Sequence, residues 1–242
     1  MINRDILAIP ELLSSNYVNA HPYPYIVFDN FLQYGAAGSV CFEMEGYNNW
    51  STDETDHVAD HQQNKFYTPH SLDLDDRQKF RDLAPVTNMV LDYMYSPEAL
   101  SFLERLTGIK NLKGDPELLG GGVHKITRGG RLGIHADFNR HFRSNLWRRI
   151  NVLIYLNQYW DSSWGGDLEL WSKDLKQCCV KVEPIFNRAA IFTITDEHYH
   201  GHPHPLNTPE ERSRYSLALY YYTEDRPEEE KADFHPVLWK TT

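Results

Sequence analysis

Short apolar runs separated by turn residues make up most of the second half of this chain. After Pro116 these runs have strand length and are bounded by glycine, proline, asparagine and aspartate. They fall at residues 118–126, 150–156, 167–171, 179–182, 189–195 and 215–222. No helical periodicity lies between them, and this spacing is typical of an antiparallel sandwich or barrel. The pattern therefore predicts an all-β unit over residues 118–224.

The first half of the chain predicts helices around one strand. Residues 23–28 are apolar and β-branched, which favours a strand. From 85 to 107 apolar residues recur at helical spacing, with a break at Ser96-Pro97 and a plausible C-cap at Gly108. We expect two helices here that pack on one side of the sheet.

Residues 48–82 differ from both patterns, since they are polar and show little periodicity. Such a stretch predicts a long surface excursion of the kind that covers a site. We expect a single domain over residues 1–242, mostly β with helical N-terminal support (α+β). In it, residues 1–117 supply the helices and a lid, and residues 118–224 form the core that carries the site.

Charge and composition exclude several classes of function. The formal net charge of −10 argues against a general nucleic-acid binder, because phosphate contacts need a basic surface. Four arginines between 140 and 149 form either a solvated face or a contact for an anionic ligand. The three cysteines make no disulfide framework, and neither a secretory segment nor an apolar stretch of about 18 residues occurs. We expect a cytoplasmic protein without a membrane segment.

The pair His135 and Asp137 follows a glycine-rich turn at 129–133. On extended backbone, side chains two residues apart point to the same side, so an imidazole and a carboxylate can share one metal face. The His-x-Asp pattern alone is common, and taken by itself it is better explained by a surface histidine near an aspartate. A second source of metal ligands is therefore needed.

That source is a histidine cluster at 198–204, directly after the buried-looking strand 189–195. Two histidines and one carboxylate on one face of an iron(II) ion leave three positions open. The residue types therefore favour iron chemistry. The pattern does not decide which member of the cluster is the ligand, and the other members are either solvated or adventitious metal binders.

Two further side chains suit a carboxylate ligand. Arg214 begins the last alternating strand, and a guanidinium pairs bidentately with a carboxylate. Tyr155 lies on the polar face of the strand at 150–156, where its hydroxyl could bond a carboxylate or simply pack in the core. Taken alone, Arg214 is better explained as a strand-edge arginine in a surface ion pair, but its position behind His-x-Asp and a later histidine favours the carboxylate contact.

Several motifs in order resemble the 2-oxoglutarate and iron(II)-dependent oxygenases of the prolyl 4-hydroxylase type. The resemblance runs from roughly 118 to 224, less than half of the chain. Its motifs are Tyr155-Leu156-Asn157-Gln158-Tyr159-Trp160, Gly165-Gly166 followed by Leu168, Val182-Glu183-Pro184 through Asn187-Arg188, and Arg214-Tyr215-Ser216. The resemblance implies a double-stranded β-helix, or jelly roll, with iron at its mouth.

By position, the resemblance implies that His135 and Asp137 are the first two iron ligands, and that Arg214 and Tyr155 hold the keto acid. For the third ligand, His200-Gly201 has the better local resemblance, and an insertion at 203–209 would explain its fourteen-residue distance from Arg214. His202 is the alternative. The tyrosine that some members carry before the glycine-rich turn has no clear counterpart here.

The activity implied is hydroxylation of an unactivated C–H bond, coupled to decarboxylation of 2-oxoglutarate to succinate and carbon dioxide. The implied cofactors are Fe(II), 2-oxoglutarate and O2, with ascorbate as a further candidate. The partner would be a small-molecule or peptidyl substrate: a prolyl or other amino-acid residue, a free amino acid or a small metabolite. The alternatives are a cupin-type metal dioxygenase that does not use 2-oxoglutarate, and a non-catalytic binding jelly roll.

Overall fold

A computed structural model describes residues 1–52, 61–68 and 74–240. In these residues, helices are concentrated in the N-terminal half: Arg4–Leu7 (α1), Pro10–Val18 (α2), Tyr34–Gly46 (α3), Leu74–Leu83 (α4), Pro85–Met94 (α5) and Pro97–Thr107 (α6). The break between α5 and α6 falls at Ser96, whose side chain caps α6, and Gly108 ends α6 with φ of +78°. Both features follow the sequence prediction, because proline starts a helix well and glycine tolerates positive φ.

The strands begin before the β-rich half and continue to the end of the described chain. They are Tyr25–Phe28 (β1), Ser51–Thr52 (β2), Gln62–Tyr67 (β3), Lys113–Gly114 (β4), Gly122–Ala136 (β5), Trp147–Tyr155 (β6), Leu168–Trp171 (β7), Cys178–Val182 (β8), Arg188–Thr193 (β9), His200–His202 (β10), Arg214–Thr223 (β11) and Leu238–Trp239 (β12). Short 3₁₀ turns occur at Ser162–Trp164 and Glu228–Glu230.

These strands form one antiparallel sheet that folds back on itself as a nearly closed barrel. The hydrogen-bonded order is β1-β9-β6-β11-β5-β10-β7-β8. The long strand β5 pairs with β11 through its first half and with β10 through its second half, so it passes from one wall of the barrel to the other. The predicted fold class, mostly β with helical support and a jelly-roll core, is confirmed.

The helices cover one face of the sheet, and the other face is directed into the barrel. Ile150, Val152 and Ile154 of β6 pack in the same core as Phe102 and Leu103 of α6. The alternate residues of β6 face inward, and Asn151 and Leu153 line the internal cavity. The period-two alternation read from the sequence therefore separates the core face from the site face.

The polar segment at 48–82 contains more regular structure than its sequence indicates. In its described part, β3 pairs with β5 from Gln62 opposite Leu132 to Tyr67 opposite His124. The predicted excursion thus contributes a strand to the wall of the cavity. The rest of the prediction falls on 53–60 and 69–73, which lie outside the described residues.

Among the residues that the structure describes, no helix combines the length and the apolar character that a membrane crossing requires.

Candidate active site

Strand pairing brings the His-x-Asp motif and the histidine cluster together. His200 of β10 lies directly opposite His135 of β5, and Asp137 follows the end of β5. Ligand atoms of these three residues all lie within 4.8 Å of one another. All three side chains are buried. The structure therefore gathers the predicted metal ligands, and of the two candidates for the third ligand it places His200 in the group.

Backbone contacts fix both imidazole rings. Nδ1 of His135 donates to the carbonyl of Gly133 at 2.8 Å, and Nδ1 of His200 donates to the carbonyl of His198 at 3.2 Å. The Nε2 atoms then face Asp137, at 3.5 Å from Oδ1 for His135 and 3.4 Å from Oδ2 for His200. Burial, together with the nearby His200, lowers the pKa of His135, so its ring is neutral and can offer a lone pair.

A close approach of β10 to β5 makes this arrangement possible. A side chain at Gly201 would place its Cβ 2.6 Å from the carbonyl oxygen of Gly133 and 2.8 Å from that of Leu132. No residue other than glycine fits between the two histidines of β10 without moving a strand. Gly201 thus sets the distance between His135 and His200.

Two buried side chains from β6 hold the Asp137 carboxylate. Arg148 donates to Oδ2 of Asp137 at 3.0 Å, and the amide of Asn151 donates to the same oxygen at 2.8 Å. Arg148 also donates twice to Oδ1 of Asn151, at 3.0 and 2.9 Å. Burial by itself raises the pKa of Asp137, but Arg148 and His200 outweigh it and hold this pKa well below its usual range. The carboxylate is ionised and oriented before any metal binds.

Aromatic rings fix Arg148 in turn. Its Cζ lies 3.5 Å from the ring centroid of Tyr220 and 4.5 Å from that of Phe138. The guanidinium is 1% exposed, so this stacking and the ion pair replace its contacts with water. Arg148 serves the metal end of the cavity, whereas Arg143 lies at the surface beside Glu117.

A second buried arginine marks another part of the cavity. Nε of Arg214 donates to the carbonyl of Gly166 at 2.8 Å, and among the described residues no carboxylate lies within 4.0 Å of this guanidinium. A Cβ at Gly166 would lie 3.1 Å from Cδ of Arg214, so this glycine lets the arginine pack against the chain. A buried cation without a counterion is costly, and it indicates a place for an anionic ligand.

Tyr155 lies beside Arg214. The centroid of its ring is 4.9 Å from Cζ of Arg214, and its buried hydroxyl interacts with the Arg214 guanidinium. Burial raises the pKa of Tyr155 against the opposing charge of Arg214, so the hydroxyl keeps its proton. Tyr155 is not part of the cavity wall, which makes its contact with any ligand less direct than that of Arg214.

His135, Asp137, His200 and Arg214 all line one cavity of about 500 Å³. Its wall also contains these side chains: Thr52, Gln62, Lys65, Tyr67, His124, Ile126, Leu132, Phe138, Arg148, Asn151, His202, Ser216, Tyr220, Val237 and Trp239. His124 and Tyr67 are in edge-to-face contact at 5.2 Å, in the region where the sequence shows no tyrosine counterpart.

The C-terminal strand covers one side of the metal ligands. Trp239 of β12 pairs with His135 of β5, and their rings lie 5.0 Å apart. On its other side Trp239 stacks on His61 at 4.8 Å with the planes 6° apart. The segment at 48–82, which the sequence predicts to cover the site, and the C-terminal strand therefore meet beside the metal ligands, and no local pattern indicates the second of them.

Residues 121–222 match the family model described as the 2OG-Fe(II) oxygenase superfamily. Over 224 residues the chain is 25% identical to prolyl 3,4-dihydroxylase OGFOD1 of Ostreococcus tauri, covering 88% of this chain and 40% of that protein. Over 95 residues it is 32% identical to prolyl hydroxylase EGLN3 of Rattus norvegicus, covering 39% of this chain and 37% of that protein. The chain thus spans about two fifths of the length of these relatives.

The fold also matches a solved structure, that of a prolyl hydroxylase from Trichoplax adhaerens in complex with a hypoxia-inducible-factor oxygen degradation domain peptide. The TM-score is 0.59 at 20% identity, over 91% of this chain and 92% of the other. The sequence relatives and this fold agree with the family model. Residues 121–222, which contain His135, Asp137, His200, Arg214 and Tyr155, therefore form a domain of the 2OG-Fe(II) oxygenase superfamily.

Proposed function

We propose that this protein is an iron(II) and 2-oxoglutarate-dependent dioxygenase that hydroxylates an unactivated C–H bond of its substrate. The reaction would be coupled to decarboxylation of 2-oxoglutarate to succinate and carbon dioxide. The observation that carries the proposal is one cavity with two matched features: a buried His135, Asp137 and His200 cluster, and a buried Arg214 without a carboxylate partner in the described residues.

The donor set fits iron(II). In the proposal, Nε2 of His135, a carboxylate oxygen of Asp137 and Nε2 of His200 hold the metal on one face. Two imidazoles and one carboxylate leave open positions for a chelating keto acid and for O2. When bound, the metal and its keto acid supply the oxidising power, and the protein supplies orientation and a water-poor pocket.

The rest of the cavity fits a dicarboxylate. The bond from Nε to the carbonyl of Gly166 orients the Arg214 guanidinium, and Arg214 lines the cavity. A guanidinium fork and a carboxylate pair bidentately, so Arg214 would bind the distal carboxylate of 2-oxoglutarate. Tyr155, whose buried hydroxyl interacts with Arg214, would steady Arg214 or donate to the same carboxylate. Ascorbate is a further cofactor to be tested together with Fe(II) and 2-oxoglutarate.

The substrate would enter beside the aromatic wall formed by Tyr67, Phe138, Tyr220 and Trp239. These rings offer apolar surface to a ring or an alkyl group. The relatives by sequence are named as prolyl hydroxylases, which makes a peptidyl proline the first substrate to test. Other amino-acid residues, free amino acids and small metabolites are the next classes.

Two proposals concern the protein as a whole. The helical and lid part at 1–117 and the jelly-roll core at 118–224 would act as a single oxygenase domain, because α5 and α6 share one core with β6 and β11. A cytoplasmic location would suit the free thiols of Cys41, Cys178 and Cys179.

Succinate formation is the direct test. Purified protein is incubated with Fe(II), 2-oxoglutarate and O2, with and without a panel of prolyl peptides, free amino acids and metabolites. We expect succinate only when Fe(II) and 2-oxoglutarate are both present, and a substrate in the panel that gains one oxygen atom. If a substrate is oxidised without 2-oxoglutarate, the result supports the cupin-type dioxygenase instead. If the protein binds no 2-oxoglutarate and turns over no substrate of the panel, the result supports the non-catalytic binding jelly roll.

A further inference from the structure

His202 is a buried polar side chain of the cavity that the proposed function leaves without a role. It lies two residues after His200 on β10, so both side chains point to the same side of the strand. His202 lines the cavity and is 4% exposed. It does not belong to the group of His135, Asp137 and His200 that can hold a metal.

Both ring nitrogens of His202 lack a hydrogen-bond partner within the described part of the chain. By contrast, Nδ1 of His135 and Nδ1 of His200 each bond a backbone carbonyl. Buried polar groups in native proteins are nearly always bonded, and exceptions mark places where a ligand or water completes the site. In either protonation state an imidazole has at least one N–H to donate. His202 can therefore give a hydrogen bond to a molecule in the cavity.

His202 and Arg214 lie on the same wall of the cavity. Two rows of paired residues cross β5, three residues apart along β3, and every member of both lines the cavity: His202, Leu132 and Gln62 in one row, and Arg214, Ile126 and Lys65 in the other. Of the charged and polar groups around His202, Arg214 has the strongest electrostatic influence on it, ahead of Lys65 and His135.

The charges around His202 favour an anion over a cation. Its two strongest electrostatic influences come from Arg214 and Lys65, which both carry positive charge. Ile126 and Leu132, the β5 members of the two rows, are apolar and so do not compete for its N–H. A carboxylate that pairs with Arg214 would thus lie within the region that His202 faces.

We propose that His202 is a second recognition residue for 2-oxoglutarate, which donates a hydrogen bond to the carboxylate that Arg214 binds. This inference rests on the proposed function and adds a residue to it. In this assignment the two histidines of β10 have different roles. His200 holds the metal, and His202, on the same face of the strand, selects the cosubstrate.

The test is an anaerobic calorimetric titration of the Fe(II)-loaded full chain with 2-oxoglutarate. His202→Leu removes both nitrogens and keeps similar volume, and the matched control is His204→Leu, at an exposed histidine outside the cavity wall. A hydrogen bond to a charged group corresponds to a loss of about 10- to 100-fold in affinity. We expect that loss for His202→Leu, wild-type affinity for His204→Leu, and full iron loading in both.

His202→Gln keeps an N–H donor, so we expect it to recover part of the lost affinity, which a purely structural histidine would not require. An unchanged dissociation constant in His202→Leu would overturn the inference, and so would a loss of iron together with 2-oxoglutarate. A wild-type protein that binds Fe(II) but no 2-oxoglutarate would instead reject the proposed function itself.

Discussion

The guanidinium of Arg148 lies 3.0 Å from Oδ2 of Asp137, and both side chains are buried. The contact joins a residue of β6 to the carboxylate that follows β5, and Asn151 bonds the same oxygen. In the metal-free protein this pair keeps an ionised carboxylate in the barrel interior. The metal site is therefore held ready by a cation of the protein itself.

Replacing Arg148 should destabilise the metal-free protein strongly. Arg148→Gln leaves Asp137 as a buried charge without its cation, a change that costs about 3–5 kcal/mol in comparable pairs. Because iron(II) can replace the lost positive charge, added metal should raise the melting temperature of the variant more than that of the wild type. Thermal unfolding with and without Fe(II) measures both effects.

The control for that experiment is Arg143→Gln, which removes an arginine from a surface pair with Glu117. Exposed pairs contribute up to about 1 kcal/mol, so this variant should unfold near the wild-type temperature. If Arg148→Gln unfolds at the same temperature as Arg143→Gln, the buried pair of Arg148 with Asp137 does not stabilise the metal-free protein.

The two histidines of β10 should differ in their effect on iron content. His200→Ala removes one of three donors and should leave the purified protein with little bound iron, whereas His202→Ala should keep a full equivalent. Iron analysis after anaerobic loading and desalting gives the answer. Loss of iron in His202→Ala alone would reverse the assignment of the third ligand.

Arg214→Ala should separate cosubstrate binding from metal binding. The variant loses a charge-assisted, bidentate partner, and we expect 2-oxoglutarate to bind about 100-fold more weakly with unchanged iron loading. Arg212→Ala is the matched control, because Arg212 lies two residues earlier and outside the cavity wall. Equal losses of iron and 2-oxoglutarate in Arg214→Ala would indicate a role in folding instead.

Gly201→Ala should damage the metal site without touching a ligand. The new methyl group would meet the backbone of β5 at Gly133, so β10 must move and His200 must leave His135. Overpacking of this kind costs about 1–3 kcal/mol, and iron affinity should fall with it. Gly35→Ala is the control, since nothing lies within 4 Å of its added Cβ in α3. An iron affinity in Gly201→Ala equal to that control would show that the strand spacing is not critical.

The sequence predicted those parts of the site that depend on local spacing. His135 and Asp137 share one side of the chain because they are two residues apart, and the alternation of β6 separates its core face from its cavity face. The break before α6 and its end at Gly108 follow from proline and glycine, whose backbone preferences are local. The jelly-roll fold itself came from the resemblance to a family.

Contacts between distant segments could not be predicted in the same way. Trp239 reaches His135 from about a hundred residues away, and β3 enters the wall from a segment that shows no strand pattern. Arg148 belongs to a run of arginines whose members end in different surroundings. Burial decides their roles, and burial of a charged residue depends on partners that composition and periodicity do not identify.

An anaerobic visible absorption spectrum tests directly whether 2-oxoglutarate chelates iron(II) held by His135, Asp137 and His200. It is recorded first with Fe(II) and then with added 2-oxoglutarate. A keto acid that chelates iron(II) at a site with two histidines and one carboxylate gives a weak visible charge-transfer band. We predict that this band appears in the wild type on addition of 2-oxoglutarate and is absent in Asp137→Ala. If the wild type binds iron but shows no band, 2-oxoglutarate does not chelate iron at this site, and the protein is not the oxygenase proposed here.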